Sequence, residues 1–157
     1  MHNSNRYIFI YTAVMVVVVA ILLAAAAIAL KPYQDRNIRL ERMQSILTSV
    51  DISVSAEDAE ATYKKYITEE FVTGQDGEIR KGVPAFAIDL ALEQKKAPEQ
   101  QNLPLFVCTK ESEKLYIIPV RGKGLWGPIW GYVALKSDLN TVAGASFGHK
   151  GETPGLG

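Results

Sequence analysis

Between Tyr7 and Leu30 the chain carries no charged side chain, and this run constrains the fold more than any other feature. In hydrocarbon every backbone N–H and C=O must be satisfied within the segment, so a lone stretch of this kind folds as a helix. At about 1.5 Å per residue it would reach roughly 36 Å. That exceeds the roughly 30 Å of a hydrocarbon core, so the helix spans it with some tilt. Tyr7, Tyr11 and Tyr33 stand near its ends, where amphipathic rings favour the interface. A cleaved signal peptide is the rival reading, because Ala27-Ile28-Ala29 resembles a peptidase site. The apolar run is much longer than a signal h-region, and only Arg6 charges the residues before it, so the segment is expected to stay as an anchor. The expected organisation is a short tail over residues 1–6, a transmembrane helix over 7–30 and a domain over 31–157.

Charge does not settle which side that domain occupies. Arg6 stands alone before the run, while Lys31, Arg36, Arg39 and Arg42 follow it. Counted simply, the positive-inside rule places the domain in the cytoplasm. Lysine plus arginine and aspartate plus glutamate number 17 each, so no basic field recruits nucleic acid. The single cysteine, Cys108, lies in the apolar run Leu105–Cys108 and excludes an intrachain disulfide framework. It reads as a small core residue. Two histidines, His2 and His149, are too few and too far apart for a protein-built zinc site.

Beyond Lys31-Pro32 the residues Leu40, Met43, Leu47 and Val50 share one helical face, predicting a short amphipathic helix over 37–50. Ser55, with Asp58 three residues on, is expected to cap a second helix with the apolar stripe Ala59, Tyr63, Tyr66, Ile67 and Phe71. The early Tyr and Met stripes read as core. Thr73 to Gly77 is a turn. Phe86, Ile88, Leu90 and Leu92 alternate strictly, predicting a half-buried strand, and Ala97 to Leu103 reads as a loop. Leu105–Cys108 and Leu115–Val120 form a hairpin across the charged Thr109–Lys114. Ile129–Leu135 and Thr141–Phe147 form a second pair across Ser137–Asn140. The fold class is therefore α+β: the N-terminal membrane helix, two helices, then an antiparallel sheet whose loops carry glycines.

Two glycine-rich clusters bracket the last strands, Gly122-Lys-Gly-Leu-Trp-Gly-Pro-Ile-Trp-Gly131 and Gly148-His-Lys-Gly-Glu-Thr-Pro-Gly-Leu-Gly157. Glycines at this density let backbone approach a flat ligand closely, and Trp126, Trp130 and Tyr132 offer aromatic faces. On pattern alone, a glycine-punctuated hairpin with aromatic core residues explains them as well. The segment Glu152-Thr-Pro-Gly-Leu-Gly157, with Gly124-Leu-Trp-Gly127 upstream, resembles the signature of the membrane-linked FMN-binding domain family. The C subunit of the bacterial Na+-translocating NADH:quinone oxidoreductases carries this domain, and so, more distantly, does the G subunit of the related Rnf-type complexes. The family binds FMN covalently, through its phosphate, to a threonine in a Ser-Gly-(Ala/Gly)-Thr-x-(Ser/Thr) motif well downstream. No such motif occurs here, since Gly144-Ala-Ser146 lacks the threonine. The chain is therefore expected to be an incomplete flavoprotein subunit.

The resemblance implies that Gly124, Leu125, Trp126 and Gly127 form a loop near the isoalloxazine, and that Glu152, Thr153, Leu156 and Gly157 form a second. In this reading Thr153 offers its hydroxyl and N–H to the ring edge, Glu152 accepts from a ring N–H, and Pro154 stiffens the loop. Without the resemblance, Glu152 is a solvated loop carboxylate. Arg121, Lys123, His149 and Lys150 flank both loops, either screening a phosphate or ending strands in solvent. No nucleophile–base pair, paired carboxylates or P-loop stands out, so no catalytic residue is assigned. The resemblance further implies a periplasmic domain that relays single electrons through its FMN to neighbouring membrane subunits. It also implies coupling of NADH oxidation and quinone reduction to sodium export. The alternative is a membrane-anchored sensor or interaction domain without flavin.

Overall fold

The computed structural model describes residues 5–125 and 127–151, and the chain divides into two compact units between Arg39 and Leu40. Helix α1 runs from Asn5 to Thr48. Its residues up to Arg39 are exposed, and its most apolar stretch has a mean hydropathy of 3.1. Among the described residues this is the one helix long and apolar enough to cross a membrane. The amphipathic segment expected as a separate helix is its continuation. Pro32 lies inside α1 without ending it. A proline removes one backbone bond, and here the Lys31–Asp35 pair at 3.5 Å bridges the position.

The second unit begins with the last turns of α1. Met43, Ile46 and Leu47 are buried there, as is Val50 in the turn that follows, and Leu40 packs against them. Helix α2 spans Ala59–Tyr66, ending before the last residues of its expected apolar stripe. Ser55 does not cap it. Its Oγ accepts from the Asp58 amide at 3.2 Å and donates to Asp58 Oδ2 at 3.0 Å, closing a turn ahead of the helix. The chain then enters strand β1, Ile67–Thr73, so Ile67 and Phe71 belong to the sheet rather than to the helix. Ile67, Thr68, Val72 and Thr73 are β-branched, and pairing with a neighbouring strand outweighs a stripe that fits either period.

The strand expected over Phe86–Leu92 is absent. A short 3-10 turn occupies Ala85–Ala87, and helix α3 occupies Leu90–Glu93. Asp89 Oδ1 accepts the Ala91 amide at 2.8 Å, capping α3 where the alternation called for extended chain. Leu92 points to solvent, so the alternating residues never shared a face. Polar clasps hold this excursion. The buried Glu93 accepts from Lys96 Nζ at 2.7 Å and from the Asn102 amide at 2.9 Å. Burial pushes the Glu93 carboxyl up, but Lys96 and the Asn102 amide outweigh it and hold its pKa below the usual value. A second 3-10 turn spans Pro98–Gln100, within the stretch expected as a loop.

Strands β2 (Leu103–Lys110), β3 (Glu113–Lys123), β4 (Pro128–Leu135) and β5 (Val142–His149) complete a five-stranded antiparallel meander in the order β1-β2-β3-β4-β5. Both expected hairpins are present. One face of the sheet closes the core with Phe106, Cys108, Leu115, Ile117 and Ala134. Cys108 is fully buried, which raises its thiol pKa. Edge-to-face contacts link Tyr63, Phe86, Phe106 and Tyr132 at centroid spacings of 5.8, 6.5 and 6.5 Å, running from α2 across the sheet toward its glycine-rich end. Burial raises the Tyr132 phenol pKa against the opposing charge of Arg42.

Candidate functional site

The β2–β3 ladder stops at Phe106↔Ile117, whereas β3 and β4 stay paired out to Lys123↔Pro128. The end of β3 therefore projects beyond β2 with β4 and β5 as its company. Pro119 lies in this projecting part, where a residue without an N–H does least harm to a sheet. The projection ends in the tight connection Gly124–Gly127, closed by the Gly124 N–H donating to the Gly127 carbonyl at 2.7 Å. Gly127 has φ +149°, a conformation that L side chains rarely adopt. Leu125 is 91% exposed at the tip, an apolar side chain standing in solvent.

Strand β5 brings the second glycine-rich cluster to the same place. Trp130 pairs with Gly148 and Ile129 with His149, and the Lys150 N–H donates to the Pro128 carbonyl at 3.3 Å. A Cβ built on Gly127 would lie 3.7 Å from Lys150 Cβ. Segments separated by more than twenty positions in the chain thus meet at one end of the sheet. Residues 148–151 run beside the Gly124–Gly127 turn, directly before Glu152. Of the expected site residues, the structure brings Gly124, Leu125 and Gly127 to this end. Trp126, Glu152, Thr153, Leu156 and Gly157 lie outside the described residues.

Basic side chains surround the junction. Arg121 stands on β3 opposite Trp130, Lys123 at the base of the turn, and His149 and Lys150 at the end of β5. Among the described residues, Arg121, Lys123 and Lys150 enter no ion pair, and the Arg121 carbonyl accepts from Gln94 Nε2 at 3.1 Å. No described group of three or more His, Cys, Asp or Glu side chains is arranged to hold a metal. The arrangement offers close backbone approach, an exposed apolar tip and positive charge. Those features suit a flat, anionic ligand held at the sheet's end. Reading the sequence missed the contact of Trp130 with Gly148 and the fraying of β2 from β3. Both depend on register, for which the local pattern holds no signal.

Residues 124–157 match the family model of the FMN-binding domain, and the junction just described lies within that match. The C subunit of the Na+-translocating NADH-quinone reductase of Pseudomonas aeruginosa is 35% identical over 153 residues, covering 84% of this chain and 58% of that protein. The C subunit of the Vibrio anguillarum enzyme is 34% identical over 148 residues, again covering 84% and 58%. The crystal structure of the C subunit from Parabacteroides distasonis superimposes with a TM-score of 0.73 at 38% identity, covering 81% of this chain and 61% of that one. The chain thus spans about three-fifths of the length of the relatives it matches.

Proposed function

We propose that this chain, a homologue of the C subunit of the Na+-translocating NADH-quinone reductases, is the membrane-anchored, flavin-binding part of such a subunit. The observation that carries the reading is the junction of Gly124–Gly127 with residues 148–151 inside the region matched by the FMN-binding domain. That match also favours a flavoprotein over an anchored domain without flavin. FMN, when bound, supplies one-electron chemistry, and the protein sets its position and surroundings. In this proposal Gly124 and Gly127 admit the ring close to the backbone, and Leu125 and Trp126 cover it. Glu152, Thr153, Leu156 and Gly157 meet its polar edge, with Glu152 accepting from a ring N–H. Arg121, Lys123 and Lys150 stand close enough to the junction to screen a phosphate.

The larger assignments rest on the same reading. Tyr7–Leu30 within α1 is the membrane span, and the domain over 31–157 lies on the periplasmic side of a bacterial inner membrane, because long domains translocate largely regardless of flanking charge. The subunit relays single electrons between cofactors of neighbouring membrane subunits, within an assembly that couples NADH oxidation and quinone reduction to sodium export. Attachment of FMN is through its phosphate to a threonine in a Ser-Gly-(Ala/Gly)-Thr motif, which these residues do not contain. In-gel flavin fluorescence after denaturation tests this. A polypeptide that includes the motif should fluoresce, and residues 1–157 alone should not. A covalently fluorescent band from residues 1–157 would overturn the attachment.

A further inference from the structure

We infer that Trp130 is a positioning residue for the proposed flavin site, acting by laying its indole across Gly148. A Cβ built on Gly148 would stand 2.9 Å from Trp130 Nε1, 3.2 Å from Cε2 and 3.5 Å from Cζ2. The ring therefore crosses from β4 onto the backbone of its cross-strand partner, in space that only glycine leaves open. Gly148 opens the second glycine-rich segment one position before β5 ends, and an uncovered glycine there would act as a hinge. Only the pair Ile129↔His149 and the Lys150–Pro128 bond follow it. One position away the same contact is repeated on the other face with the strands exchanged. Phe147 of β5 lies over Gly131 of β4, its Cδ1 2.5 Å from where a Cβ would stand. Aromatic cover of a cross-strand glycine is a known way to stiffen a ladder. Here it clamps β4 to β5 from both faces immediately before the junction, and so fixes where residues 149–151 run relative to Gly127.

The inference rests on the FMN reading for its purpose but not for its geometry, and the two can be tested apart. Amide hydrogen exchange on the 157-residue chain in lipid nanodiscs reads the geometry. Gly148→Ala should speed exchange at the Lys150 amide about tenfold, because the methyl displaces the indole, while the Val133 amide keeps its rate. Trp130→Phe makes room for that methyl, so the double variant Gly148→Ala with Trp130→Phe should recover much of the Lys150 protection. Titration with free FMN, followed by quenching of flavin fluorescence, reads the purpose: affinity should fall about tenfold in Gly148→Ala and return in the double variant. Equal acceleration of both amides, or no rescue, overturns the positioning role. Changed exchange with unchanged FMN affinity overturns its connection to the site. A wild-type chain that binds no free FMN overturns the connection to a site preformed in these residues, while the exchange measurements still decide the geometry.

Discussion

Individual glycines in this fold have different roles, and substitution separates them. Gly144 on β5 faces the end of α1, and a Cβ there would come within 2.5 Å of the Ser49 carbonyl oxygen. Ser49 is itself buried, its Oγ donating to the Ile46 carbonyl at 2.6 Å, so the backbone cannot give way easily. Gly144→Ala should cost about 1–3 kcal/mol, read by urea denaturation. Gly151 has nothing within 4 Å of where an added methyl would stand, and Gly151→Ala should stay within about 0.5 kcal/mol of the parent. Glu152 is the residue whose charge matters most to the proposed site. A carboxylate about 6 Å from the ring at an effective dielectric near 20 is worth roughly 3 kcal/mol. In flavin-loaded protein containing the attachment motif, Glu152→Gln should therefore raise the one-electron midpoint potential by up to about 100 mV. Redox titration checks it, and an unchanged potential would return Glu152 to the status of a solvated loop carboxylate.

Turns and helix ends decide how far each element runs. The β4–β5 connection is organised by Asp138, whose carboxylate accepts the Asn140 amide at 3.0 Å, the Thr141 amide at 2.9 Å and the Thr141 hydroxyl at 2.5 Å. The Thr141 hydroxyl is the largest of the influences that pull its pKa down to about 2. A depressed folded-state pKa means that the ionised carboxylate favours the folded turn. Its contribution is fully present above the unfolded value of about 3.9 and fades as pH falls toward about 2. A carboxyl carbon NMR titration should give Asp138 a midpoint of about 2, and Thr141→Val should move that midpoint upward. A midpoint of about 4, the unperturbed value, would show that the turn is not held this way. The long helix α1 illustrates the opposite case, a candidate boundary at Pro32 that the surrounding helix overrides.

At the scale of the molecule, the one described helix long and apolar enough to cross a membrane precedes a domain built on one sheet, and the side on which the proposed span places that domain is open to direct measurement. Cys108 is buried, so an added exposed thiol reports without interference. Lys95 is exposed, and Lys95→Cys in intact cells should react with a membrane-impermeant maleimide if the domain is periplasmic. Labelling only after lysis would place the domain in the cytoplasm, in agreement with the charge count around α1. Intact mass should show a chain that retains Tyr7–Leu30. A mature start near Leu30 would identify a cleaved signal instead.

Sequence alone determined the features whose cause is local. An uncharged run longer than a bilayer core has one viable backbone state, and the stripe Leu40, Met43, Leu47 and Val50 names its buried face wherever its helix begins. The two hairpins over residues 103–149 were legible because apolar runs are separated by charged or turn-forming residues. Tertiary structure decided the rest. Ile67 and Phe71 fit either period, and the strict alternation over Phe86–Leu92 fits a strand the chain does not form, so their outcomes depend on pairing with β2 and on the Asp89 cap. The same holds for the candidate site. The sequence contained both glycine-rich clusters, but only the β3–β4 and β4–β5 registers bring Gly127 beside Lys150 and lay Trp130 on Gly148. Register is a property of strands far apart in the chain, set by which side chains find the core together, and no local run of residues contains it.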